Sequence, residues 1–178
     1  MAAEQLILVD AEDRELGIGD KLQVHRDGAL HRAFSIFIFD AEKRLLLQKR
    51  ARTKYHSGGL WSNTACGHPR PGEATITAAH RRLREEMGFD CELYQAFGFL
   101  YRKELDNRLV EHEYDHVFIG EFGGEPQPDA AEVEEWRWLS MKELRRALFQ
   151  RPGEYSYWLS VAVNRAEWKL LNALMGFE

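Results

Sequence analysis

Residues 31–40, HRAFSIFIFD, are dense in β-branched and aromatic side chains and predict a buried strand. Turn residues from Asp40 to Lys43 lead into RLLLQKR, which predicts the pairing strand. The stretch 57–72 holds four glycines and two prolines and predicts a long loop. From Glu73 to Met87 the period becomes helical, with Ile76, Leu83 and Met87 on one side and Gly88 placed as the stop. ELYQAFGFLY and LVEHEYDHVFI predict two more strands, although Val110, Tyr114 and Val117 also fit a helical stripe. Ser140-Met141-Lys142-Glu143 has the form of a capping box opening a short helix. Tyr155 to Met175 reads as one long amphipathic helix. Strands, a central helix, further strands and late helices predict an α/β sandwich with a central mixed sheet and flanking helices. No repeat, low-complexity tract or linker interrupts the pattern, so residues 1–178 are expected to form a single domain.

Composition narrows the function. The chain is 44% hydrophobic with dispersed charge, as folded chains are. No apolar run approaches the roughly 20 residues of a membrane span, and the short apolar start lacks the basic region of a signal peptide. A net charge of −5 argues against nucleic acid or an anionic membrane as partner. An anionic ligand therefore needs a local basic pocket, and Lys49, Arg50, Arg52 and Lys54 cluster within six residues. Alone, such a run is ordinarily a solvated loop. Two cysteines, Cys66 and Cys91, are too few for a disulfide scaffold, which makes a reducing cytoplasm the default and Cys66 a free thiol. A monomer is the default oligomeric state.

The string CGHPRPGEATITAAHRRLREEMGF carries the chemistry. Gly67, Glu73, Arg81, Leu83, Glu85, Glu86, Gly88 and Phe89 stand at the spacing of the Nudix box, which this segment resembles. That resemblance implies a loop–helix–loop binding a diphosphate through divalent metal. Arg82 and Glu86, four residues apart, share a helix face; an exposed ion pair is the ordinary alternative. Nudix hydrolases carry a glutamate directly after the box arginine, and here that place holds Arg82. A guanidinium neither ligates metal nor accepts a proton. The change predicts a fold that grips a diphosphate without cutting it, with Glu86 left to hold one Mg²⁺ against the substrate's oxygens.

Around the box stand His25, His31, His68, Glu111 and Glu113. Singly, each histidine is more often a surface or core residue than a ligand, and Glu111 and Glu113, two apart on a strand, could simply face solvent. Together with NTACGHP, Arg82, the VEHE strand and SYW near the end, they make the chain similar to type I isopentenyl-diphosphate delta-isomerases. The resemblance implies that His25, His31, His68, Glu111 and Glu113 bind one further divalent ion (Mn²⁺, Zn²⁺ or Mg²⁺). It implies Cys66 and Glu113 as catalytic groups, Tyr101 as the tyrosine assisting the glutamate, and Trp158 as an aromatic wall at the reacting carbons. Lys21, Arg50, Lys54 and Arg82 would contact the diphosphate of a small isoprenoid substrate.

The chemistry suits those groups. Moving an unactivated double bond adds a proton at one carbon and removes another two bonds away. With no carbonyl to stabilise a carbanion, a tertiary carbocation is the plausible high-energy species. It asks for an acid on one side, a base on the other and an electron-rich face, where an aromatic contact to a desolvated cation is worth about 2 kcal/mol or more. Two rivals remain: a Nudix hydrolase of a nucleoside or other organic diphosphate, disfavoured by Arg82, and a zinc peptidase. The latter rests on His112-Glu113-Tyr114-Asp115-His116, an H-E-x-x-H match that needs a helix. A diphosphate-sensing domain without catalysis would leave Cys66, Tyr101 and Glu113 without a task.

Overall fold

The chain folds around one long strand. In a computed structural model that describes residues 4–54, 56–105, 108–168 and 171, β3 (His31–Phe39) is buried along almost its whole length. Along one edge it pairs in parallel with β8 (Val110–Glu121), from His31 opposite Glu113 to Phe39 opposite Glu121. Along the other it meets β1 (Gln5–Val9), β6 (Ala65–Gly67) and β4 (Leu45–Arg50), all antiparallel. β2 (Glu15–Asp20) pairs with β1, β7 (Leu93–Glu104) with β8, and β5 (Trp61–Ser62) and β9 (Val133–Leu139) with β4. The sheet is therefore mixed, as expected, with helices on both faces.

Strand alternation divides β3 between two cores. Phe34, Ile36 and Ile38 pack with Ala78, Ala79, Leu83 and Met87 of α2 (Thr75–Met87). Phe37 and Phe39 pack on the opposite side with α3 (Met141–Gln150), α4 (Tyr157–Asn164) and Trp168. The expected capping box opens α3, Ser140 Oγ accepting from Glu143 N while the Glu143 carboxylate accepts from Ser140 N. Gly88 ends α2 in the left-handed region at φ 73°, where an added Cβ would collide with the carbonyl oxygen of Gln127.

The structure corrects several expectations. The loop 57–72 contains the two short strands β5 and β6, so it is less irregular than its glycines suggest. Ile76 is 37% exposed, and the buried side of α2 runs through Ala78, Ala79, Leu83, Glu86 and Met87. The last helix is not continuous from Tyr155: α4 spans Tyr157–Asn164 and breaks at Arg165, whose ψ of 152° is extended. Residues 169–170 and 172–175 of that expectation lie outside the described residues. The pattern also did not announce the β1–β2 hairpin, β9 or α1 (Lys21–Asp27).

The corrected face of α2 is measurable. Leu83→Ala should cost about 2–5 kcal/mol in urea unfolding because the side chain is fully enclosed. Ile76→Ala should cost no more than about 0.5 kcal/mol. Equal losses would place Ile76 in the core after all.

Candidate functional site

α1 is short but tightly terminated. Asp20 accepts from Gln23 N at its start, and Gly28 closes it at φ 65°. Those two turns bring Lys21 to a cavity and turn His25 fully inward. His25 Nδ1 donates to Lys21 O at 2.7 Å, and His31 Nδ1 donates to Ala29 O at 3.0 Å. A ring nitrogen against a carbonyl must carry the proton, so in both rings the Nε2 lone pair is left pointing inward. The His25 and His31 ring centroids lie 4.8 Å apart, and those of His31 and His68 5.1 Å.

β8 brings the carboxylates to these imidazoles. Period two puts Glu111, Glu113 and Asp115 on its buried face, all at 7% exposure or less. Glu113 Oε1 lies 3.0 Å from His68 Nε2 and 3.5 Å from His31 Nε2, while Glu113 Oε2 accepts from the Tyr101 hydroxyl at 2.6 Å. Burial opposes the charge on Glu113, but the neighbouring His31 together with the Tyr101 hydrogen bond overcomes it and holds its carboxyl at about 2. Burial, with Glu113 beside it, raises Tyr101 well above the usual phenol range. Burial, reinforced by His31, also pushes His68 well down, so its ring is neutral and available as a ligand. The ligand atoms of His25, His31, His68 and Glu113 lie within 4.8 Å of one another.

These residues fit a divalent cation. His31 Nε2 and Glu111 Oε2 are buried without a hydrogen-bond partner, an arrangement that costs free energy unless a ligand meets them. Imidazoles with carboxylates suit zinc or manganese better than an all-oxygen cage would.

Cys66 arrives from the other edge of β3, opposite Ser35. It lines the same cavity as Glu113, a space of about 480 Å³ that also reaches Tyr101 and Trp158. Burial pushes the Cys66 thiol up to about 12, Glu86 and Glu113 adding to it against Arg50 and Arg82. Arg50 Nη1 points at Cys66 Sγ at 3.6 Å, and its guanidinium sits 5.3 Å from the Trp158 ring centre. The indole is itself held, since Trp158 Nε1 donates to Asn63 Oδ1 at 3.0 Å. Asn63 uses all of its capacity: its oxygen also accepts from Ser62, and its amide nitrogen donates to Ile36 O and Ala65 O.

The basic run divides by strand register. Arg50 and Lys54 line the cavity, whereas Lys49 turns outward to Glu135 and Arg52 to Glu134. Arg82 closes the polar end, bonded to Glu86 at 2.8 Å and to Glu85 and Glu132 at 2.9 Å each. Lys54 pairs with Glu132, and Lys21 with Glu4 at 2.9 Å. Gly67 permits this packing, because a Cβ there would meet Arg82 Cγ at 3.2 Å. Glu86 sits behind this wall, 2% exposed, with Gln48 Nε2 donating to it at 2.5 Å. The Arg82–Glu86 pair exists, then, but it is buried rather than a solvated helix pair.

Sequence reasoning therefore located the residues around the cavity but missed four supports: Glu4, Glu132, Asn63 and His56. His56 Nε2 stands 2.9 Å from Glu111 Oε1. The H-E-x-x-H match dissolves: the segment is strand, His112 Nδ1 donates to Gly28 O, and His116 Nε2 lies 2.9 Å from Asp13. Both rings occupy the half-buried face of β8, opposite the glutamates.

The chain has clear relatives. The NUDIX domain family model matches residues 29–159. Isopentenyl-diphosphate Delta-isomerase 1 of Aromatoleum aromaticum is 56% identical over 162 residues, covering 91% of this chain and 92% of that protein. The isopentenyl-diphosphate Delta-isomerase of Burkholderia multivorans is 52% identical, covering 92% and 93%. Among solved structures, DR0079 from Deinococcus radiodurans has a TM-score of 0.69 at 18% identity, covering 83% of this chain and 90% of its own. A MutT NUDIX hydrolase from Burkholderia pseudomallei has a TM-score of 0.56 at 19% identity, covering 75% and 98%. At such identities the structural likeness speaks for the fold alone.

Two stability measurements probe this geometry. Manganese or zinc should raise the melting temperature, by the equivalent of about 2.7 kcal/mol at a hundredfold excess over Kd, and His31→Ala should remove the rise. Asn63→Ala should destabilise by about 1–3 kcal/mol, since it strands the buried Trp158 N–H and two carbonyls. A variant as stable as the parent in urea would show that water replaces the amide.

Proposed function

The chain belongs to the isopentenyl-diphosphate Delta-isomerases of the NUDIX family, and from that premise we propose how its cavity carries the reaction. The activity is the 1,3 shift of a double bond that turns isopentenyl diphosphate into dimethylallyl diphosphate. The observation that carries the assignment of roles is that Cys66 and Glu113, brought by strands on opposite edges of β3, line one cavity.

The diphosphate lies at the end held by Lys21, Arg50, Lys54 and Arg82, and the hydrocarbon reaches toward Cys66, Glu113 and Trp158. A neutral thiol and an ionised carboxylate give one proton donor and one acceptor across the allyl unit. A proton added to the terminal methylene carbon leaves a tertiary cation, and loss of a proton two bonds away completes the shift. The two groups end with exchanged protons, so the reverse reaction uses the same pair. Tyr101 keeps Glu113 Oε2 hydrogen-bonded and so orients the carboxylate. Trp158, 5% exposed and fixed by Asn63, offers its π face to the cationic carbon and excludes water from it. His25, His31, His68, Glu111 and Glu113 would hold a divalent ion, zinc or manganese by donor set, whereas Glu86 would meet a magnesium beside the diphosphate only by exchanging its bonds to Arg82 and Gln48. An ion in the first site supplies fixed positive charge that compensates the buried carboxylates.

Hydrolysis is the weaker reading because Arg82 occupies the place where a hydrolase keeps a carboxylate. Every group named in this proposal is supplied by one chain.

Incubation with isopentenyl diphosphate in heavy water should place deuterium in the recovered dimethylallyl product. Cys66→Ala and Glu113→Gln should each lower turnover by about 10³-fold or more while unfolding like the parent. Undiminished turnover in Cys66→Ala would remove the thiol from the mechanism; phosphate release at a comparable rate would restore the hydrolase.

A further inference from the structure

His56 belongs to no motif, yet the fold places it deliberately. The turn that carries it is closed by Gly59 N donating to Arg50 O and Arg50 N donating to Leu60 O, both at 2.9 Å. Ser57 has φ 52° and Gly59 φ 78°. A Cβ on Gly58 would come within 2.7 Å of Arg52 O. Chain wound this tightly fixes where the neighbouring side chain emerges. The ring of His56 enters the buried region, edge-on to Trp158 at 6.1 Å and 6.1 Å from His25.

There its Nε2 meets Glu111 Oε1 at 2.9 Å, while the second oxygen of the same carboxylate, Oε2, is buried without a hydrogen bond and lies 3.7 Å from His25 Nε2. The ligand atoms of His25, His56 and Glu111 form one close group and those of His25, His31, His68 and Glu113 another, sharing only His25. An octahedral ion with bonds of about 2.1 Å needs all of its ligands within roughly 4.2 Å of each other. His56 and Glu111 share only the neighbour His25 with the group of His31, His68 and Glu113, and it is Glu111 Oε2, the oxygen that His56 does not hold, that lies 3.7 Å from the Nε2 of that shared histidine.

We propose that His56 is a positioning residue of the metal centre: its Nε2–H tethers Glu111 Oε1 so that Oε2 is presented to the ion. Ligating carboxylates are steered by such outer hydrogen bonds, whose loss costs about 10–100-fold in metal affinity. This rests on the divalent-ion centre described above, and the experiment separates the two. Full-length parent, His56→Ala and His56→Gln are titrated with Co²⁺, reading both affinity and the visible absorption of the bound ion. His56→Ala should bind Co²⁺ about 10–100-fold more weakly. His56→Gln, whose amide N–H can still donate, should recover most of that loss. The spectrum at saturation should be the same in all three, because the ligands are unchanged. Equal affinity in parent and His56→Ala overturns the tether and leaves the centre standing. A more intense saturated spectrum in both variants, marking a lower coordination number, also overturns it and makes His56 a ligand. If the parent itself takes up no Co²⁺, the centre and the tether fail together.

Discussion

Everything at the site depends on the parallel register between β3 and β8. With His31 opposite Glu113 and Ser35 opposite Val117, the buried face of β8 delivers Glu111, Glu113 and Asp115 beneath the histidines. A slip of one residue would turn all three carboxylates to the other face and bring His112, Tyr114 and His116 inward. The register resists slipping because β3 is committed on both faces, to α2 through Phe34, Ile36 and Ile38 and to α3 and α4 through Phe37 and Phe39. The same strand receives β6 on its other edge and so fixes Cys66 relative to Glu113. Packing energy in two hydrophobic cores thus becomes positional accuracy in a polar cavity.

That accuracy serves a costly arrangement. Three carboxylates buried together repel one another, and burial alone would neutralise them. The structure resolves the conflict differently at each. Glu113 stays ionised through His31 and Tyr101, and Glu111 is likewise lowered by His25 and His56 against burial. Asp115 is driven well above the usual carboxyl range by burial, with Glu113 adding to it against the Ser35 hydroxyl at 2.8 Å. One strand therefore carries ionised and neutral carboxyls side by side, the difference set by which neighbours donate.

How much of this was legible follows from what sequence patterns record. β3, β4 and α2 were visible because they are buried on a regular period, and the Nudix-like spacing marked the box because loop–helix geometry fixes it. β1 and β2 were not, since β2 is an edge strand, half exposed and interrupted by Gly17 and Gly19, so its alternation is weak. The break at Arg165 left no trace because Arg165 suits a helix as well as a turn. Glu4, Asn63, His56 and Glu132 were invisible for another reason: their roles exist only between segments distant in the chain, and no local pattern encodes such a meeting. The H-E-x-x-H match shows the converse, a local pattern whose required helix the tertiary pairing denies.

Arg82 illustrates how one substitution reshapes a site's chemistry. At the polar end of the cavity Lys21 pairs with Glu4, Lys54 with Glu132, and Arg82 with Glu85, Glu86 and Glu132, so part of the local charge is offset. Cations held in such pairs are prearranged donors whose pull on a diphosphate is partly offset. A divalent ion accompanying the substrate, as proposed above, would add to that pull. A carboxylate at position 82 would add negative charge and a further metal ligand, moving positive charge and activated water toward the phosphorus. With guanidinium there, whose pKa the surrounding carboxylates raise despite burial, position 82 offers hydrogen-bond donors in place of a metal-ligating carboxylate. In the proposed mechanism the acid and base stand at the opposite end, where Cys66 and Glu113 would address carbon instead of phosphorus.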